Sequence, residues 1–381
     1  MISIKSKYDC CGCEACAQRC VHNAISMKSD KEGFLYPIID PNKCTKCDIC
    51  EKVCPVINQK LPSEPIKTYA AKNKDEIVRL QSSSGGIFTL LATKTINNGG
   101  VVFGAKFDEQ WNVVHDYVET IEGLAKFRGS KYVQSQIGNC YKIAEIFLKK
   151  GREVLFSGTP CQIAGLKKFL IKDFSNLICV DIICHGVPSP MVWQKYKSQV
   201  ILNKNSSFTF RDKSNSWKRY EIVALNEGKE VVRETTSKNV YMKLFLSDLC
   251  LRPSCSNCPA KGGQSQSDIT IADFWGIENI HPDFDDDKGS NLVIINSEKG
   301  LELFNSLENC EKIETDFEKA ISYNTSYFKS ITEPKYRQYF FDNFDKCGFE
   351  VYDKISRKSN NQYRYNIRRL LSFIKHKFIK S

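Results

Sequence analysis

Apolar and polar positions along this chain follow two periods, and the switches between them divide it into segments. Residues 24–27 and 35–39 are short apolar runs on either side of Lys31-Glu32-Gly33, the pattern of two strands around a turn. Lys60-Leu61-Pro62-Ser63-Glu64-Pro65 holds two prolines and no periodicity, and reads as a linker. Beyond it, helical and extended patterns take turns. Residues 85–97 put Ile87, Leu90 and Leu91 at helical spacing and run into Asn97-Asn98-Gly99-Gly100, a helix stop. Residues 101–105 predict a buried strand and 139–150 a helix stopped by Gly151. A strand (154–157), a helix (162–170), a strand (177–183) and a helix (190–202) follow. Such alternation predicts an α/β unit with some parallel pairing. Residues 208–211, 220–225 and 230–234 predict an antiparallel insertion, and 268–274 and 292–296 return to buried strands. Past residue 300 the chain reads as helical and polar.

The cysteines add chemistry to this outline. Cys10, Cys13, Cys16 and Cys20 share one spacing with Cys44, Cys47, Cys50 and Cys54, and Pro55 follows the second run. Both read C-x2-C-x2-C-x3-C, the bacterial two-cluster ferredoxin pattern, in which three thiolates hold one cubane and the fourth crosses to the other. Cys10, Cys13, Cys16 and Cys54 are therefore expected to hold one 4Fe-4S cluster, and Cys44, Cys47, Cys50 and Cys20 the second. Structural zinc is the alternative for paired C-x2-C steps, but a tetrahedral ion has no use for a third step. Cys11 fits the spacing less well than Cys10 and reads as a non-ligand. Val21 stands where the motif usually has proline after its first run.

Composition narrows the setting. The chain has 381 residues, 41% of them hydrophobic, enough for two or three domains with proper cores. Eighteen cysteines with no apolar leader in MISIKSKYDCC argue for a reducing cytoplasm rather than a disulfide scaffold. No apolar run approaches the roughly 18 residues of a membrane span. The net charge of +11 is uneven: residues 354–381 carry nine Lys and Arg and no acid, leaving +2 for the rest, so no nucleic-acid partner is expected. In that tail Ile367, Leu370, Leu371, Ile374 and Phe378 fall at helical spacing among basic residues. This reads as a peripheral membrane-surface or partner-binding helix, with a helix packed on the protein's own core as the alternative.

Four further cysteines sit where chemistry can use them. Ser157-Gly158-Thr159-Pro160-Cys161-Gln162 follows a strand and opens a helix, whose N-terminus is expected to lower the thiol pKa. Cys184-His185-Gly186 follows the next strand, and ligands collect beyond the carboxyl ends of such strands. Cys255 and Cys258 lie in a Gly- and Ser-rich loop before the strand at 268–274. Together they supply four thiolates, one for each iron of a third cubane; buried apolar cysteines and zinc are the alternatives. Cys140, Cys179, Cys310 and Cys347 read as core or surface residues, and Cys250 is left open. Ser82-Ser83-Ser84-Gly85-Gly86 opens a helix and suits either a phosphate or a plain cap. Arg128-Gly129-Ser130-Lys131-Tyr132 offers cations and an aromatic ring.

These motifs together resemble the coenzyme F420-reducing hydrogenase and dehydrogenase beta-subunit family, in its form with an N-terminal ferredoxin module. CCGCEACAQRC, EGFLYPIID, CTKCDICEKVCP, SSSGGIFTLLA, RGSKYVQS, FSGTPCQIAGLKKFL, DIICHGVPSP, MVWQKY and CSNCPAKGGQSQSDITIADFWGI carry the resemblance, from residue 10 to about 277. It implies an FAD beside a 4Fe-4S cluster, with ligation by Cys161, Cys184, Cys255 and Cys258. It also implies flavin contacts at Ser84, Gly85, Gly86, Lys131 and Tyr132, with Asp273 facing the same pocket. The implied activity is that of an iron–sulfur flavoprotein oxidoreductase, supplied by a redox partner protein or a small-molecule donor. An electron-relay subunit without its own substrate is the alternative. Similar bacterial proteins accompany polysaccharide-modifying enzymes. The fold class expected is α+β: a ferredoxin module (1–60), an α/β reductase unit in two parts (66–150 and 151–300) with a mixed sheet and the antiparallel insertion, and a helical region with a basic tail (301–381).

Overall fold

The computed structural model describes residues 2–359; most of the basic tail, with its expected amphipathic helix, lies outside the described residues. Thirteen strands are described: β1 (Ile25–Ser29), β2 (Leu35–Ile39), β3 (Lys67–Asn73), β4 (Val101–Phe107), β5 (Val113–Val118), β6 (Val154–Gly158), β7 (Leu177–Ile182), β8 (Ser206–Asp212), β9 (Glu221–Asn226), β10 (Lys229–Thr235), β11 (Ile269–Asp273), β12 (Asn291–Ile295) and β13 (Cys310–Glu314). They form an antiparallel β1-β2 hairpin, an antiparallel three-stranded sheet β10-β9-β8, and an eight-stranded sheet in the order β13-β3-β12-β11-β7-β6-β4-β5.

Four neighbours at the centre of the large sheet, β4, β6, β7 and β11, run parallel. The flanking strands pair antiparallel. Strands covered on both faces need apolar residues at successive positions. Phe103, Phe156 and Cys179 point to one face, where helices Cys140–Lys149 and Pro160–Leu170 bring Tyr141, Leu148, Ile163 and Phe169. Val102, Leu155 and Ile178 point to the other, against Leu91 of helix Ile87–Asn97 and Phe304 of helix Glu298–Asn305. Because the central four strands are parallel, their carboxyl ends share one edge of the sheet.

The cysteine-rich module is seated on this unit. Helix Ala15–Arg19 abuts the N-terminus of helix Cys140–Lys149. There the Glu14 carboxylate accepts from the Ile137 and Gly138 amides, and the Gln18 side chain accepts from the Tyr141 amide. Free amides at a helix start need such acceptors. The Glu32 carboxylate is buried against Arg337 on the far side of the module.

Three strands depart from the reading of the sequence. β3 has an alanine pair, two lysines and a single β-branched residue, Thr68, and it extends because it lies between β12 and β13. β5 is an antiparallel edge strand paired to β4. β13 interrupts the region past residue 300 that reads as helical: Cys310–Glu314 completes the sheet beside β3. Cys140, Cys179 and Cys250 are buried core residues, and Cys310 and Cys347 are half-buried.

Candidate metal and redox site

The two cysteine runs adopt the same local backbone. The residue before and the residue after the second cysteine of each run are left-handed: Gly12 (φ 71°) and Glu14 (φ 64°) around Cys13, Lys46 (φ 57°) and Asp48 (φ 58°) around Cys47. Three of these are not glycine, and such conformations persist only where the surroundings impose them. Here they curl each loop so that its thiols face inward. One resulting cavity is lined by Cys10, Cys13, Cys16 and Cys54, together with Cys11. The other is lined by Cys44, Cys47, Cys50 and Cys20. The fourth cysteine of each run thus lies with the other run's first three. Backbone amides point at the sulfurs: Ile2 donates to Cys50 Sγ (3.3 Å) and Ala24 to Cys20 Sγ (3.3 Å). Such donors favour thiolate and lower the electron density on cluster sulfur. The donor set and the cavities fit two cubanes. Cys47 is exposed, so the second cavity lies at the surface.

The third set gathers at the shared sheet edge. β6 ends in Thr159-Pro160-Cys161, where Thr159 and Gln162 form a capping box for helix Pro160–Leu170. Gln162 Nε2 is held in turn by Ser135 Oγ (2.9 Å), and Thr159 Oγ1 lies 3.3 Å from Cys161 Sγ. β7, the neighbour of β6, leads to Cys184. The loop carrying Cys255 and Cys258 is brought over by short backbone pairing, the Arg252 amide donating to Val187 O (3.0 Å) and the Ser189 amide to Cys250 O (2.9 Å). The Val187 amide donates to Cys255 Sγ (3.5 Å).

Burial and then mutual repulsion raise these thiols. Cys184 feels Cys255, Cys161 and Cys258 and stands well above the usual range, and Cys255 is pushed up to about 12. Cys161 is also raised, chiefly by its contact with Cys11 and by burial, so the expected lowering by the helix N-terminus is overridden. A bound cation would favour the thiolate forms of these four cysteines. Among the described residues no three His, Cys, Asp or Glu side chains converge at single-ion spacing.

Cys13 packs directly on the helix opened by Cys161: a Cβ placed on Gly165 would lie 2.8 Å from Cys13 Cβ. The first cavity and the third set are therefore neighbours. Arg252, 1% exposed, links them. Its guanidinium donates to Cys10 O (2.8 Å), Leu35 O (2.9 Å) and Gln134 Oε1 (3.0 Å) and reaches Cys10 Sγ (3.6 Å).

Asp181, in β7, fixes the third set from below. Its buried carboxylate accepts from Ser265 Oγ (2.6 Å), Ser267 Oγ (2.9 Å) and Thr270 Oγ1 (2.6 Å), tying the loop after Cys258 to the strand that leads to Cys184. Asp181→Asn is expected to cost about 2–3 kcal/mol, since an amide cannot accept at both ends. It should loosen the Cys255–Cys258 loop and lower iron at the third set, while the ferredoxin runs keep theirs. Anaerobic melting and iron analysis check this; unchanged melting and iron would remove the anchoring role.

The structure brings the Ser83-bearing and Ser130-bearing loops together, their hydroxyls 2.7 Å apart. Several groups singled out as flavin contacts are engaged within the chain. Ser84 Oγ donates to Ser290 O (2.7 Å), and a Cβ on Gly85 would meet Ala71 O at 2.6 Å. Gly86 (φ 79°) caps helix Ile87–Asn97. Lys131 Nζ donates to three carbonyls of its own loop, and its enclosure lowers the ammonium to about 7. Tyr132 stacks on Phe245 at 4.8 Å. Asp273, at the end of β11, pairs with Arg211. The sequence reading missed Arg211, Arg252 and Asp181. The available signal for the first was a charged residue following the apolar positions Phe208 and Phe210 of a strand.

Known proteins share these parts. Residues 9–58 match the 4Fe-4S dicluster domain. Residues 68–141 match coenzyme F420 hydrogenase/dehydrogenase, beta subunit N-term, and residues 151–320 match its C terminus. The chain is 24% identical over 328 residues to the coenzyme F420-dependent sulfite reductase of Methanocaldococcus jannaschii, covering 74% of this chain and 50% of that protein. It thus spans about half the length of that curated relative. A chain of the F420-reducing NiFe hydrogenase complex from Methanosarcina barkeri superimposes with a TM-score of 0.48 at 16% identity, over 72% of this chain and 97% of that one.

Proposed function

Since the chain belongs to the coenzyme F420 hydrogenase/dehydrogenase beta-subunit family and carries a 4Fe-4S dicluster domain, we propose that it is an iron–sulfur flavoprotein oxidoreductase. Cys10, Cys13, Cys16 and Cys54 hold one cubane, Cys44, Cys47, Cys50 and Cys20 the second, and Cys161, Cys184, Cys255 and Cys258 a third. FAD, bound by the Ser84–Gly86 and Lys131–Tyr132 loops, supplies the exchange between a hydride pair and single electrons. The chain's part is to line these groups up. The observation that carries the reading is their order: the third set touches the first cavity through Cys161, Cys11, Cys13 and Gly165. The first shares its cysteine runs with the second, and the second reaches the surface at Cys47. Arg252 places a fixed positive charge between the third set and the first cavity, where it favours the electron-rich state of each. Among the described residues no helix is long and apolar enough to cross a membrane.

Protein purified without oxygen is expected to hold about twelve irons per chain, matching acid-labile sulfide, and FAD released on heating. Zinc without sulfide at the third set would overturn the path. The relay without its own substrate is favoured by one observation, the internal engagement of Ser84, Gly85 and Lys131. Full iron with no flavin, and no turnover with hydride donors, would select it.

A further inference from the structure

Arg211 lies in β8, and its side chain is 2% exposed. One terminal nitrogen pairs with Asp273. The other, Nη2, and Nε are buried without a hydrogen-bond partner among the described residues. Buried guanidinium donors are seldom left unpaired, because each has given up water for nothing. Flat rings stack on this guanidinium. Tyr220 lies 4.3 Å and Trp275 5.7 Å from the guanidinium carbon. Trp217 stacks on Trp275 at 4.8 Å, and its own indole N–H is also buried without a partner.

The place of this guanidinium ties it to the third cysteine set. Asp273 ends β11, the parallel neighbour of β7, which leads to Cys184. Phe210, the residue before Arg211, meets Tyr132 at 5.4 Å. Tyr132 stacks on Phe245, whose ring lies 5.5 Å from His185, beside Cys184. Arg211 therefore lies a few ring contacts from the thiols.

The chemistry selects a class of ligand. Nε and Nη2 form one edge of a planar fork and suit two acceptors lying in a plane. Asp273 already balances the charge, which disfavours a dianionic phosphate. Aromatic walls favour a flat ring. A ring that is neutral when oxidised and carries one delocalised negative charge when reduced satisfies all three conditions. We propose that the free edge of Arg211 receives the pyrimidinedione edge that flavins and 5-deazaflavins share. This rests on the flavoprotein reading above.

The test uses the full chain with its iron in place. Parent, Arg211→Lys and Asp273→Asn proteins are titrated anaerobically with FAD and separately with a 5-deazaflavin, each oxidised and reduced. Iron content and melting report folding. Arg211→Lys keeps the charge but not the fork, and should weaken binding of the reduced ring by about tenfold or more, with a smaller loss for the oxidised ring. Asp273→Asn removes the counter-charge and should tighten the reduced ring, a change of sign that damage to the fold would not give. An effect confined to FAD makes the ring resident, and one confined to the deazaflavin makes it a substrate. Parent protein that binds a ring with unchanged affinities in Arg211→Lys overturns the assignment and leaves the flavoprotein reading standing. Parent protein that binds neither ring overturns both. If Arg211→Lys loses its iron, Asp273→Asn decides, and reduced-ring affinity equal to or below the parent's overturns the proposal.

Discussion

Cys161→Ser protein, prepared without oxygen, should carry about eight irons where the parent carries about twelve. A serine hydroxyl is a poor iron ligand, and the two ferredoxin cavities, built from their own loops, should keep their clusters. On the function proposed above, reduction of the ferredoxin clusters by substrate should fall to background, because the proposed path then lacks its third cluster. Cys11 lies within hydrogen-bonding reach of Cys161 and is the one neighbour placed to substitute for it. The same measurement on the Cys11→Ser/Cys161→Ser pair settles that: iron retained in the single variant and lost in the pair makes Cys11 a stand-in ligand. Full iron and full electron transfer in both would remove Cys161 from the ligand set.

Arg337→Ala is expected to produce the largest loss of stability. Arg337 and Glu32 are both buried, with Nη2 2.6 Å from Glu32 Oε2, and the same guanidinium donates to Leu251 O at 3.0 and 2.9 Å. Removing one member of a buried pair leaves an uncompensated charge, at a cost of about 3–5 kcal/mol. Lys7 stands 3.9 Å from Glu32 and offsets part of it. The pair joins the turn between β1 and β2 to the segment leading to Arg252 and Cys255, so its loss should free the ferredoxin module from the reductase unit. Denaturant unfolding and limited proteolysis under nitrogen measure this. Glu32→Gln with Arg337→Met should recover much of the loss, since no charge is then stranded. A cost below about 1 kcal/mol for Arg337→Ala would mean that the other contacts between the two units, those of Glu14, Gln18 and Arg252 among them, hold them without this pair.

The hairpin β1-β2, the central strands β4, β6, β7 and β11 and the three-stranded insertion were legible because their residues carry the period their surroundings demand. The central strands are covered on both faces and read as unbroken apolar runs. β3, β5 and β13 were not read as strands. β3 and β13 take their extended form from a neighbouring strand, and most of their residues state no strong preference; β5 has three valines and a tyrosine, a strand signal that the reading passed over. Ser82–Gly86 suits a phosphate or a plain cap by sequence, yet Gly85 answers a packing need, the approach of Ala71 O, that has no local signature.

The sequence alone determined which thiols belong to which ferredoxin cavity, because a loop of fixed spacing can present only certain sulfurs to one centre. It also determined that Cys161 and Cys184 would follow adjacent strand ends, since alternating strands and helices place them there. The tertiary structure decided everything that depends on residues far apart in the chain. It brought Arg252 beside Cys10 and closed Asp181 over three hydroxyls more than eighty residues away. It reversed the expected shift of the Cys161 thiol and left Arg211 with two donors unspent. Those outcomes come from burial and from long-range electrostatics, which act through space, whereas spacing and periodicity act only along the chain.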